Sequence, residues 1–74
     1  MPCIDVAATG RNIADMRKKA GISVKDIQQA CGFSTPNAIY KWQNGDCMPT
    51  IDNMVIMADM FGVTIDSIVV VIRQ

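Results

Sequence analysis

Apolar residues recur along this chain at intervals of three and four, and each such run is closed by Gly, Pro, Ser or Thr, the pattern of short amphipathic helices. Ile13, Met16 and Ala20 share one face of a first helix that Thr9 caps and Gly21 ends. Ser23, with Asp26 three positions later, approximates a capping box and opens a second helix over 24–31, with Gly32 as its stop. A third helix is predicted over 36–44: Ser34 or Thr35 caps it, Pro36 suits its first turn, and Asn44-Gly45 closes it. Thr50 caps a fourth over 51–61 before Gly62, and Thr64 caps a short fifth that ends near Ile68.

There the helical rhythm fails. Residues 69–72 read VVVI, and β-branched side chains lose freedom in a helix while fitting a strand. A lone strand is not stable, and the only other extended stretch is 2–6. The two pair within one chain, or the C-terminal strand pairs with its twin across a two-fold axis. The expected fold is all-α: five helices forming one domain over 1–74 with its core at 9–68, and a short terminal β pairing of residues 2–6 and 69–73.

Two helices carry more than a core pattern. In the third, Ile39 and Trp42 fall on one face as core anchors with Phe33 packing from the turn, which leaves Asn37, Tyr40, Lys41 and Asn44 on the other side. Asn can pair two hydrogen bonds with adenine, and Lys can reach guanine acceptors or a phosphate. In the fourth, Met54, Met57, Ala58 and Phe61 make the inner stripe, while Val55, Ile56 and Met60 are left over. A helix apolar on two sides is usually buried on two sides. A homodimer interface is therefore expected at Val55, Ile56, Met60, Val69 and Val71.

Composition narrows the function. Seventy-four residues can bury a small core but leave no room for a deep catalytic cleft. The chain has no His, and Cys3, Cys31 and Cys47 are too few and too widely spaced for the usual zinc sites. They read as reduced thiols acting as small apolar residues. No acid–base pair, metal set or activated nucleophile is apparent, so the protein is not expected to be an enzyme and no cofactor is implied. The longest apolar stretch, 67–72, is far short of a membrane span, and the N-terminus has no basic and apolar export pattern; a cytoplasmic location follows. The net charge is zero, but its distribution is uneven. Residues 10–44 carry Arg11, Arg17, Lys18, Lys19, Lys25 and Lys41 against Asp15 and Asp26, for +4. Residues 45–74 carry Asp46, Asp52, Asp59 and Asp66 against Arg73, for −3. An anionic partner would meet the first half.

The segments GRNIADMRKKAGIS, DIQQACGFS and IYKWQNG, followed by PTIDNMVIMADMFGVTIDSI, resemble in order and spacing the lambda-repressor-like helix-turn-helix family, also called Cro/Xre. The resemblance covers residues 9–68. It implies a DNA-binding transcriptional regulator, repressor-like and dimeric, whose third helix lies in the major groove of double-stranded DNA. It further implies base contacts from Asn37, Tyr40 and Lys41, with Pro36 and Ala38 as small apolar contacts. Phosphate contacts are implied for Lys25, where the start of the second helix also attracts an anion, and for Thr35, Asn44 and Arg17. Val24 stands where the family usually has Gln, and Gln28 where it usually has Ala at the helix crossing. The competing expectation is a protein-interaction module or antitoxin of the same fold that binds a protein partner instead of DNA.

Overall fold

The computed structural model describes residues 1–73. Five helices, α1 (Val6–Lys19), α2 (Val24–Cys31), α3 (Asn37–Asn44), α4 (Ile51–Phe61) and α5 (Ile65–Ile68), lie between two strands, β1 (Cys3–Ile4) and β2 (Val71–Ile72). Each helix sends one fully buried large side chain to the centre: Ile13, Ile27, Ile39, Met57 and Ile68. Burying a side chain of that size contributes about 2 kcal/mol. Trp42, Met54 and Ala58 complete the core. Met60, a leftover residue by sequence pattern, packs against it, and so does Val69. Ala20, expected on the inner face of α1, is exposed at the helix end. Of the three cysteines only Cys31 packs on the core, where burial pushes its thiol pKa up; Cys3 and Cys47 are exposed.

The strands pair antiparallel within the chain, Cys3 opposite Ile72 and Ile4 opposite Val71. Val6, predicted as part of the extended segment, already belongs to α1, because the cap is Asp5: its carboxylate accepts the Ala8 N–H at 3.0 Å. Thr9 is therefore not a cap but an interior residue with no exposed surface. Its Oγ1 accepts the Val70 N–H at 3.0 Å, the Asp5 N–H donates to the Val70 carbonyl at 2.8 Å, and Asn12 Nδ2 donates to the Ile68 carbonyl at 3.1 Å. α1 thus clasps the C-terminal segment with its polar side chains, satisfying backbone groups that burial would otherwise leave costly.

On its opposite side α1 meets α3 at backbone distance. A β-carbon at Gly10 would collide with the Trp42 carbonyl oxygen and lie 2.9 Å from that of Gln43. Gly45, at φ +79°, ends α3 in the left-handed conformation, and a β-carbon there would stand 2.8 Å from Cα of Ala7. Two glycines, one from each partner, bring α3 onto α1.

The capping box read at α2 is present. Ser23 Oγ accepts the Asp26 N–H at 3.0 Å, and an Asp26 carboxylate oxygen accepts the Ser23 N–H at 2.9 Å. The Ser23 backbone N–H, and then its side chain, hold the Asp26 carboxyl below the usual carboxylate range. The caps expected at Thr50 and Thr64 occupy the right positions without a side-chain cap bond. At Thr64 the local bond comes instead from Ser67, whose hydroxyl donates to the Thr64 carbonyl at 2.7 Å.

Helix propensity alone predicts that Gly10→Ala stabilises the protein by about 1 kcal/mol. The collision with α3 predicts the opposite sign, a loss of about 3 kcal/mol in urea unfolding. For Asp26 the folded pKa is depressed, so its stabilisation is present above the unfolded value and is lost as pH falls through the folded one. The stability gap between wild type and Asp26→Ala should therefore close below about pH 4; a gap unchanged across that range would show that the carboxylate contributes nothing.

Candidate nucleic-acid interface

The second and third helices are joined by a turn that is itself bonded. The Phe33 N–H donates to the Gln28 carbonyl at 3.0 Å, and Gln28 Nε2 donates back to the Phe33 carbonyl at 3.3 Å. Gln28 therefore replaces small-residue packing at the crossing with a hydrogen bond across the turn. Phe33 meets Trp42 edge to face, ring centroids 5.8 Å apart at 63°. Val24 packs on the core and adds apolar contact where a Gln would offer an amide.

Neither Ser34 nor Thr35 caps α3. Its N-cap is Pro36, which has no side-chain bond to give, and Ser34 and Thr35 remain exposed in the preceding turn. At the other end the Gly45 N–H donates to the Trp42 carbonyl at 3.1 Å and the Asp46 N–H to the Lys41 carbonyl at 2.9 Å, closing the helix. Ile39 and Trp42 are buried as the pattern predicts, at 0% and 4% exposure.

The opposite face of α3 is open. Asn37, Tyr40, Lys41 and Asn44 are all exposed, and none of their side chains makes a hydrogen bond or ion pair among the described residues. Pro36 is half-buried at the helix start. Ala38 is half-buried and packs against the core, so it sits on the flank of that face. Lys25 is exposed in the first turn of α2 and likewise makes no internal pair; Asp26 already occupies the positive end of that helix, so an anion there would answer to the Lys25 side chain.

Arg17 is the one predicted contact residue already engaged inside the fold. Its Nε–H donates to Gln43 Oε1 and its Nη1–H to the Ile22 carbonyl, both at 3.0 Å. Gln43 lies on α3, and its role was not visible in the sequence because its partner is 26 positions away. No local spacing signals such a pair. The expected interface residues divide by exposure: Val55 at 53% and Val71 at 47% are open, Ile56 is half-buried, and Met60 and Val69 belong to the rim of the core. Ile51, one turn before Val55 and 69% exposed, joins the open set. Among the described residues, no helix is long and apolar enough to cross a membrane.

A profile of the helix-turn-helix family matches residues 13–68. No curated protein matches the sequence. Among solved structures, the restriction-modification controller protein C.AhdI from Aeromonas hydrophila is similar with a TM-score of 0.74 at 14% identity, covering 86% of this chain and 96% of its own. The DNA-binding domain of BldD gives 0.70 at 16% identity, over 89% of this chain and 94% of that one. The clp gene regulator ClgR from C. glutamicum gives 0.71 at 13% identity, over 84% and 79% respectively. At these identities the likeness is one of fold, and the family match rests on the sequence. This chain, with α2 and α3 as its helix-turn-helix pair, belongs to the helix-turn-helix family of the Cro/Xre type, a family of DNA-binding transcription regulators.

Proposed function

We propose that this protein is a sequence-specific, repressor-like transcriptional regulator that binds double-stranded DNA as a homodimer. The observation that carries the reading is the row Asn37, Tyr40, Lys41 and Asn44: four polar side chains exposed on a helix whose other side is fixed by Ile39, Trp42 and the α1 backbone. A helix held only for packing has no use for that row. In the proposal α3 enters the major groove, Asn37, Tyr40 and Lys41 address base edges, and Pro36 and Ala38 supply small apolar contacts at its start. Lys25, Thr35, Asn44 and Arg17 contact phosphates and set the register. Neutrality of the whole chain does not oppose this, since the positive half carries every one of these groups and the acidic residues Asp52, Asp59 and Asp66 lie on α4 and α5.

Dimerisation would use the exposed apolar residues Val55 and Val71, with Ile51 beside them and Ile56, Met60 and Val69 beneath. Two copies related by a two-fold axis would then present their α3 helices to successive major-groove segments roughly 34 Å apart.

Selection from a random duplex pool should return a palindromic site, with log affinity falling by about 0.9 per log salt for each phosphate contact. Asn37→Ala and Lys41→Ala should each weaken the selected site by about tenfold or more while leaving random duplex nearly unaffected for Asn37→Ala. Absence of binding at low salt would sink the proposal. Val55→Asp should convert a dimer in light scattering to a monomer with the fold intact; a wild-type monomer at high concentration would remove the dimer from it.

A further inference from the structure

The two edges of the terminal ribbon are not alike. Ile4 lies opposite Val71 and Cys3 opposite Ile72, so Asp5 lies opposite Val70, and the Asp5 N–H donates to the Val70 carbonyl. Bonded and non-bonded pairs alternate along an antiparallel ladder. Asp5–Val70 and Cys3–Ile72 are therefore the bonded pairs, and Ile4–Val71 is the pair whose N–H and C=O groups point out to the edges. The Val70 N–H also points inward, donating to Thr9 Oγ1 at 3.0 Å. By the same alternation residues 69, 71 and 73 turn their backbone groups to the outer edge of β2.

That edge is open. Val69 is extended at φ −78° and ψ 129°, and its N–H is taken up by the Ile65 carbonyl at 3.2 Å, which leaves its own carbonyl. Val71 and Arg73 are exposed, and among the described residues their outward backbone groups have no partner. From Val69 to Arg73 the edge offers an acceptor at Val69, a donor and an acceptor at Val71, and a donor at Arg73. Turned end for end, this order is its own complement. The outer edge of β1 has no such set, because the next outward residue before Ile4 is Pro2, which lacks an N–H. Proline and charge are the usual guards of a strand edge, and residues 67–72 carry neither.

We infer that a second copy of this chain adds at the β2 edge: the two β2 strands pair antiparallel about a two-fold axis at Val71, making a four-stranded sheet with the β1 strands outermost. Val71 of each copy exchanges both backbone bonds with Val71 of the other, and each Arg73 N–H donates to the Val69 carbonyl across the axis. Ile4 and Val71, 48% and 47% exposed and paired on one face of the ribbon, become a continuous apolar row with their counterparts. Each Arg73 then stands opposite a Val69, away from its own twin. This rests on the homodimer of the proposed function and gives it a backbone interface that is self-complementary, as a two-fold contact must be.

Val71→Pro tests it, because the Val71 N–H takes no part in the ladder with β1 and proline is tolerated where a strand's N–H faces outward. The variant should keep the circular dichroism of the wild type, while its dimer dissociation constant in sedimentation rises about tenfold or more, the symmetric pair of Val71 N–H bonds being lost. A dimer of undiminished affinity would overturn the inference. Should Val71→Pro not fold, amide hydrogen exchange of the wild type decides. The Val71 and Arg73 amides should gain protection as protein concentration rises through the dimer range, with the Asp5 and Val70 amides protected throughout. Val71 and Arg73 amides that exchange as fast in the dimer as in the monomer would leave the edge to some other strand and overturn the inference. A wild type that is monomeric at every concentration would remove the proposed homodimer and this edge contact together, whereas a dimer with open Val71 amides removes only the edge contact, so the two failures are distinguishable.

Discussion

At Gly10 the backbone of α1 lies against the carbonyl oxygens of Trp42 and Gln43, closer than any side chain would permit. Everything proposed for α3 depends on that contact. α3 is only eight residues long, too short to be stable by itself, and its N-terminus has no side-chain cap. Its position comes from outside: from Gly10 and Ala7 on α1, from Ile39 and Trp42 in the core, and from Arg17 reaching to Gln43. A reading helix must arrive at DNA already oriented, because ordering it on binding would subtract from affinity. Here tertiary contact does what local propensity cannot.

α1 also connects the two ends of the chain to that helix. One side of it bears Thr9 and Asn12, which hold the backbone at Val70 and Ile68, while Ala7 and Gly10 touch the end of α3. The terminal ribbon is only two residues per strand and would not persist alone. Bonded to Thr9 and Asp5, it becomes part of the same frame. The exposed apolar residues proposed for the dimer, Val55 and Val71, therefore sit on elements whose positions are tied to the core and not on free tails.

Much of this was legible because it is local. Glycine stops, the Ser23–Asp26 capping box, the buried pair Ile39 and Trp42 and the spans of α2 and α4 all follow from residues within one turn of each other. The readings that changed concern residues whose partners are distant. Thr9 has the chemistry of a cap, but its hydroxyl serves Val70, 61 positions on, and Asp5 takes the capping role. Arg17 was expected only as a phosphate contact, and its bond to Gln43, 26 positions on, had no local signal. Met60 seemed surplus because a helical wheel cannot show that α4 has neighbours on more than one side. In the candidate site, the exposed face of α3 was readable from periodicity, and the devices that aim it were not.

In the proposed function the open face of α3, held from behind by α1, is what meets DNA. Amide chemical shifts of labelled protein titrated with a selected duplex test this most directly, since they report each element separately. The largest changes should fall within Asn37–Asn44, with smaller ones at Lys25 and Thr35. Shifts concentrated at Ile51 and Val55 on α4, with α3 unmoved, would contradict it.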